Sequence, residues 1–286
     1  MKHPTSNIQP QNKSQNKNHK LQILGYWKLL IVICLGFGCL MFGFVANASP
    51  KTSYDGIWFM GFNLHKPLLA DIKVRQAINA AIDTPFITQN IVSSETVPVS
   101  IIPPGLLGYD PDLKPSAHNP KLAKQLLSKA NIKSNDPLLK KLSLLHTDGV
   151  LTVKIAKKIQ KDLQAIGIKL KLVQVPYMNE ENWAKELASG HYDFFLMGYK
   201  ANFEQLLTSE VSLTPPDSLT LVEPLFQSGG EANFTGYTNA NVDRLMDQLD
   251  NINPALNDDR NVKLKQVNHL LYQDLPVIVL FYIEKL

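Results

Sequence analysis

The stretch GIWFMGFN, residues 56–63, is followed after a short turn by DIKVRQAINAAID, residues 71–83. The apolar and glycine residues that precede Asn63 predict a buried β-strand. Asp71 is a typical N-cap residue, so we expect a helix to begin directly after it. The predicted helix carries one apolar stripe at three- and four-residue spacing, made of Val74, Ala77, Ile78, Ala81 and Ile82.

Two charged residues of this helix lie off the apolar stripe. At 3.6 residues per turn, Arg75 and Asp83 fall outside the apolar side of the helix. The polar side of an amphipathic helix usually carries exposed charged residues. We therefore predict that they form a surface or inter-element ion pair and do not bind a ligand.

Strand-like and helix-like patterns alternate through the rest of the chain. Thr84 is expected to cap a second helix, and the proline-rich residues 97–115 predict an extended loop. Further helices are predicted at 119–130, 150–166, 180–188, 242–249 and 259–272. Further strands are predicted at 139–146, 168–172, 192–199 and 276–282. This alternation indicates an α/β fold.

The charge balance separates the first 48 residues from the rest. They contain 5 of the 29 Lys and Arg residues and none of the 25 Asp and Glu residues. The remaining 238 residues therefore carry 24 basic and 25 acidic side chains, which leaves no cationic surface of the kind that nucleic acid binding requires. Residues 1–20 are polar and without apolar periodicity, and we predict that they are a disordered tail.

An apolar run at 29–46 follows a basic flank and ends in Ala46-Asn47-Ala48. This pattern fits a cleaved secretory signal peptide, and it also fits an uncleaved membrane anchor of near-minimal length. Either interpretation of residues 21–48 places residues 49–286 outside the cytoplasm, in the periplasm or cell envelope, because the lysines stay on the cytoplasmic side. Both cysteines lie within the run, so a disulfide is not expected in the exported part.

The exported part lacks the sequence patterns of common catalytic and metal sites. Its five histidines are scattered, and none forms the paired spacing of a helical zinc site. We find no nucleophile elbow and no phosphate-binding Gly-Lys-Ser loop. We therefore expect a protein that is not an enzyme and needs no metal or cofactor.

The quoted stretch resembles the peptide- and nickel-type substrate-binding proteins of bacterial ABC importers, the extracellular solute-binding proteins of family 5. The positions that carry this resemblance are Asn63, Pro67, Val74, Arg75, Ala77, Ala81 and Asp83. The resemblance extends over most of residues 54–286. It implies the second lobe of a periplasmic binding protein, a mixed sheet flanked by helices, with the first lobe largely missing.

The resemblance also points to a candidate site directly after the strand at 192–199. In the family the matching loop reads aromatic-x-Ala-Asp, and the acid holds the amino terminus of the peptide; here the loop is Tyr199-Lys200-Ala201-Asn202-Phe203. An amide at Asn202 hydrogen-bonds an ammonium without the charge attraction of an acid. Tyr109, in the proline-rich loop, is a further candidate ligand contact. The alternative is that the 199–203 loop is only a capped turn and that Tyr109 packs within its own loop.

Two functional hypotheses follow. The first is a solute-binding component of an ABC importer, with a peptide or small-molecule solute, an ABC permease and a separate chain that supplies the missing lobe as partners. The second is a membrane-anchored interaction protein, or a degenerate remnant that no longer takes part in transport. The expected organisation is a tail at 1–20, a signal or anchor segment at 21–48 and one lobe at 49–286.

Overall fold

The structure is a computed structural model that describes residues 54–133, 136–178, 180–201, 217–253 and 256–285. The predicted tail at 1–20 and the predicted signal or anchor segment at 21–48 lie outside these ranges. Within the described ranges, no helix combines the length and the apolar composition that crossing a membrane requires.

The described residues form an alternating series of strands and helices. The strands are β1 (Tyr54–Phe62), β2 (Leu142–Thr147), β3 (Leu170–Val175), β4 (Phe194–Lys200) and β5 (Val277–Glu284). The helices are α1 (Pro67–Ala70), α2 (Ile72–Ala81), α3 (Thr84–Phe86), α4 (Pro120–Lys129), α5 (Val150–Gln164), α6 (Glu180–Ser189), α7 (Leu219–Phe226), α8 (Ala240–Asp250) and α9 (Asn257–Asp274). A π-helical turn (Ile87–Val92) continues α3, and a 3₁₀ turn (Pro137–Lys140) precedes β2.

The five strands form one mixed sheet in the order β3-β2-β4-β1-β5. β2 is parallel to β3 and β4, whereas β1 is antiparallel to both β4 and β5. Four of these strands therefore run in one direction, and their carboxyl ends lie at the same edge as the beginning of β1. We call this the carboxyl edge and define it as residues 54–55, 147–150, 175–178, 199–201 and 284.

Helices cover both faces of the sheet, which confirms the predicted α/β fold with a mixed sheet flanked by helices. Alternate residues of β1 enter different cores: Phe59 belongs to one buried cluster and Met60 to the other. Helices α7, α8 and α9 contribute to the Phe59 cluster, and α2, α4 and α5 contribute to the Met60 cluster. The strand period of two thus divides the protein into three layers.

The prediction for Arg75 is wrong. Its side chain is buried, and its guanidinium donates hydrogen bonds to the backbone carbonyls of Leu69 (2.8 Å), Ala70 (2.9 Å), Asp274 (2.5 Å) and Leu275 (3.1 Å). The guanidinium thereby satisfies carbonyl groups at the ends of α1 and α9 that lack partners within their own helices.

The prediction for Asp83 is closer to the structure. Its carboxylate lies 3.4 Å from Lys158 Nζ on α5 and 3.6 Å from His118 Nδ1, so it does form an inter-element ion pair. It also caps α3 by accepting a hydrogen bond from the Phe86 amide. The N-cap is therefore Asp83, and Thr84, the predicted cap, is the first residue of the helix.

Most other predicted boundaries agree with the structure to within a few residues. Gly167 adopts the left-handed conformation after α5 (φ 95°), and Asn119 caps α4 through the Leu122 amide. The predicted strand at 139–146 begins late, at Leu142, because the residues after Pro137 form the 3₁₀ turn. Helix α7 was not predicted; it is apolar on nearly all sides and contains Pro224, so it shows no clear helical stripe.

Candidate functional site at the carboxyl edge

The predicted binding loop lies at the carboxyl edge. Tyr199 and Lys200 end β4, and the amide of Ala201 donates a hydrogen bond to the backbone carbonyl of Asp55 (2.8 Å) at the beginning of β1. The first three residues of the predicted loop are thus held by the antiparallel pairing of β1 and β4. Asn202 and Phe203 lie outside the described residues, so their part in the site stays a prediction.

An ion pair joins this loop to β1. Lys200 Nζ lies 3.0 Å from Asp55 Oδ2, and the lysine side chain is 44% exposed whereas the aspartate side chain is 14% exposed. The second carboxylate oxygen, Asp55 Oδ1, is buried and has no hydrogen-bond partner in the described part of the chain. The pair therefore presents one accessible cation next to the predicted loop, and it leaves one buried acceptor without a donor.

Tyr199 is half-buried and packs against the Phe59 cluster. Burial raises the pKa of its hydroxyl, and the carboxylate of Glu231 raises that pKa further. The phenol consequently remains protonated over the physiological range. At the carboxyl edge it offers an aromatic face together with a hydrogen-bonding hydroxyl.

The structure brings Tyr109 to the same core cluster as Tyr199. The Tyr109 hydroxyl is near enough to Tyr282 to contribute to the raised pKa of that buried tyrosine. Tyr282 in turn packs against Tyr54, the first residue of β1, with ring centroids 5.4 Å apart. Tyr109 is thus connected to the carboxyl edge through Tyr282 and Tyr54, on the β5 side of β1, whereas Tyr199 lies on the β4 side.

The loops that follow β2 and β3 add an apolar group to the same edge. Val150, Tyr177 and Met178 are 76%, 65% and 89% exposed. Their loops are joined because the Tyr177 amide donates to Asp148 Oδ1 (2.6 Å) and the Asp148 amide donates to the carbonyl of Val175 (3.0 Å). We call Val150, Tyr177 and Met178 the exposed apolar group.

The remaining site predictions concern Trp183 and metal binding. Trp183 on α6 is partly buried and packs against the Phe59 cluster. No group of three or more His, Cys, Asp or Glu residues is arranged for a metal ion among the residues that the structure describes. A cavity of about 240 Å³ lies away from the carboxyl edge, between α2, the proline-rich loop and β5.

Sequence reasoning missed the ion pair and the exposed apolar group. Asp55 is the second residue of β1 and would have been identified only if the pairing of β1 with the end of β4 had been known. Tyr177 and Met178 follow the alternating strand that ends at Val175, so their position after a strand was a usable signal. Of the residues that sequence reasoning selected, Tyr199 and Lys200 lie at the carboxyl edge, and Tyr109 packs against the Phe59 cluster.

Comparison with known proteins identifies the family. The model of the family described as bacterial extracellular solute-binding proteins, family 5 middle, matches residues 6–209, which is more than half of the chain. Among curated relatives, the oligopeptide-binding protein AppA of Bacillus subtilis is 28% identical over 243 residues, covering 78% of this chain and 41% of AppA. The probable deoxycholate-binding periplasmic protein YgiS of Escherichia coli is 24% identical over 230 residues, covering 78% of this chain and 39% of YgiS.

Solved structures show the same fold. AppA of Bacillus subtilis in complex with a nonapeptide superimposes with a TM-score of 0.65 at 23% identity, covering 81% of this chain and 45% of AppA. The murein tripeptide binding protein MppA of Escherichia coli superimposes with a TM-score of 0.67 at 21% identity, covering 81% of this chain and 43% of MppA. The chain spans about two fifths of the length of these curated relatives. This protein belongs to the bacterial extracellular solute-binding proteins of family 5.

Proposed function

We propose that this chain is a solute-binding component of an ABC import system and that it contacts a peptide at the carboxyl edge. The observation that carries the proposal is the position of Tyr199 and Lys200 at the carboxyl ends of parallel strands, where ligands of α/β sheets bind. The names of AppA and of several other relatives, which describe oligopeptide or dipeptide binding, support peptides as the ligand class.

The chemistry of the edge suits a peptide. A peptide requires hydrogen-bonding groups for its backbone and apolar contacts for its side chains. Tyr199 and Lys200 supply the polar groups, and the exposed apolar group supplies contact surface. Asn202, Phe203 and Tyr109 complete the proposed set of ligand contacts.

The carboxyl edge is also the surface where we propose that a second lobe packs. Three large apolar side chains at one edge form a surface that a polypeptide partner would cover. We propose a separate chain that supplies this lobe, and an ABC permease that receives the solute from the assembly. Residues 49–286 would then be the lobe, and residues 21–48 the signal peptide or the anchor that directs it to the periplasm.

Isothermal titration calorimetry with short peptides tests the proposal. Because one lobe cannot enclose a ligand, we expect weak binding, with a Kd in the range of about 0.1–1 mM. Asn202→Asp should strengthen the binding of peptides with a free amino terminus about tenfold, since the new carboxylate adds a charge-assisted hydrogen bond. Amino-acetylated peptides should gain nothing from this substitution.

Gln125→Glu is the matched control, because it adds the same charge on the exposed surface of α4. It should leave both peptide series unchanged. If Asn202→Asp alters free and acetylated peptides alike, the 199–203 loop is not the amino-terminal subsite. If neither the wild type nor the Asn202→Asp variant binds any peptide, the result favours the alternative, a chain that has lost solute binding.

A further inference from the structure

A second groove lies between helices α8 and α9, on the layer that covers the Phe59 face of the sheet. Its volume is about 580 Å³. Arg244 and Leu245 line it from α8, and Lys265, His269 and Leu270 line it from α9. Asp110 of the proline-rich loop lies at its rim. None of these lining residues belongs to the carboxyl edge, so the groove is a site distinct from the proposed peptide site.

The acidic group of the groove is already paired. Asp110 Oδ2 lies 2.6 Å from His269 Nε2, and Asp110 Oδ1 accepts a hydrogen bond from the Asp112 amide (2.9 Å). Both carboxylate oxygens are therefore engaged by groups of the protein. The Asp110 carboxylate therefore interacts with His269 and with the backbone of its own loop.

The two cations of the groove are almost unpaired. Arg244 is exposed, and its Nη2 donates a single weak hydrogen bond to Asn241 Oδ1 (3.3 Å). Lys265 is half-buried and forms no hydrogen bond or short ion pair with any residue in the described ranges. Behind the hydrogen bonds from His269 and the Asp112 amide, its charge contributes to lowering the pKa of Asp110. Arg244 and Lys265 line the same groove from different helices.

Leu245 and Leu270 supply the apolar part of the groove, whereas the other lining residues, Asn241, Gln266 and Gln273 among them, are polar or charged. Leu245 is 8% exposed and packs into the Phe59 cluster, and Leu270 packs against the same cluster while remaining partly exposed. A volume of about 580 Å³ is within the range of about 300–1,000 Å³ that small-molecule sites occupy. The groove thus combines an apolar surface that suits an alkyl chain with two cations that suit a carboxylate.

We propose that the α8–α9 groove binds a single-chain amphiphilic carboxylate, with its head group between Arg244 and Lys265 and its alkyl chain along Leu245 and Leu270. A small inorganic anion would leave the apolar surface uncovered. A neutral amphiphile would leave both cations unpaired. The combination of the two features selects a ligand that has both a carboxylate and a hydrocarbon chain.

Displacement of a fluorescent undecanoate from the full-length chain, held in zwitterionic lipid nanodiscs, tests this assignment. Dodecanoate should displace the probe, whereas acetate and dodecanol at the same concentration should not. Lys265→Gln and Arg244→Gln should each weaken dodecanoate binding about tenfold, because each removes a charged hydrogen-bond donor. The Lys263→Gln variant is the matched control, since Lys263 lies on the same helix and is bonded to Gln248 outside the groove (2.7 Å).

Each other result overturns the proposal. Equal displacement by acetate would show a simple anion site, and equal displacement by dodecanol would show non-specific apolar adsorption. Binding that survives both Lys265→Gln and Arg244→Gln, or that Lys263→Gln weakens equally, would exclude the groove as the binding site. Circular dichroism of each variant confirms that a loss of binding does not reflect a loss of fold.

Discussion

At the scale of single residues, Arg75 on α2 links the end of α1 to the carboxyl end of α9 by hydrogen bonds. One guanidinium satisfies four backbone carbonyls, and two of them belong to residues about 200 positions away in the sequence. The period of α2 alone cannot reveal this role, because it depends on where the end of α9 lies in the fold. The helical period predicts that a charged side chain such as Arg75 lies in polar surroundings and not in the apolar core. It does not predict whether those surroundings are solvent or backbone carbonyl groups.

Arg75→Met should destabilise the protein by about 3 kcal/mol, because it leaves several carbonyls without donors in a buried site. The free energy of unfolding in urea measures this loss. Lys73→Met, on the exposed side of the same helix, should change that free energy by less than about 0.5 kcal/mol. Equal effects of the two substitutions would show that the carbonyl contacts contribute little.

Two buried tyrosines should make the protein sensitive to alkaline pH. Burial raises the pKa of Tyr192 to about 12 and that of Tyr282 to about 12. In the unfolded chain both lose their protons near pH 10. Between pH 10 and 12 the folded state therefore binds more protons than the unfolded state, so the free energy of unfolding falls as the pH rises.

Urea unfolding at a series of pH values checks this behaviour. The stability contribution of each tyrosine should be complete below pH 10 and should decline by up to about 1.4 kcal/mol per pH unit between pH 10 and 12. Tyr282→Phe should make the alkaline slope shallower, because phenylalanine cannot ionise. A slope that is identical in the wild type and in Tyr282→Phe would contradict the assignment.

At the scale of elements, the centre of the sheet is built from glycine and aromatic residues that face each other across β1 and β4. Gly61 pairs with Phe195, and Trp58 pairs with Gly198. A Cβ atom added to Gly61 would lie 2.2 Å from the Phe195 ring, and one added to Gly198 would lie 2.4 Å from the Trp58 ring. Each ring thus covers the backbone of the opposite glycine.

Gly198→Val should destabilise the protein by at least about 2 kcal/mol, although valine is the better strand former. The clash with the Trp58 ring outweighs strand propensity at this position. Gly149→Ala is the control, because its added Cβ would meet Thr152 Oγ1 at an ordinary distance of 3.5 Å, and we expect a loss below about 1 kcal/mol. A neutral or stabilising Gly198→Val would show that the ring moves aside at little cost.

The sequence patterns predicted most helices and strands, but they did not predict which of these elements pair or pack together. Strand β3 and helix α5 were predicted from clear periods. Helix α7 was missed because its composition is uniformly apolar. Asp55 was missed because the register of β1 against β4 depends on pairing between residues that lie far apart in the sequence.

At the scale of the whole molecule, the exposed apolar group should make the lobe self-associate. Val150, Tyr177 and Met178 expose apolar surface at one edge, and water favours its burial. Sedimentation velocity of residues 49–286 should show concentration-dependent association. The triple substitution Val150→Ser, Tyr177→Ser and Met178→Ser should reduce it, whereas a wild-type monomer at all concentrations would indicate that this edge is not a docking surface.

The central claim is that a solute of this family 5 protein contacts the carboxyl edge, next to the end of β4. Hydrogen–deuterium exchange with and without a saturating free-amine tripeptide tests it most directly. We expect slower exchange at the amides of residues 199–201 and of residues 54–55, because a bound peptide would reduce the local opening of the β1–β4 pairing that the Ala201 amide and the Asp55 carbonyl extend. Unchanged exchange at the carboxyl edge, with protection confined to another part of the chain, would contradict the account.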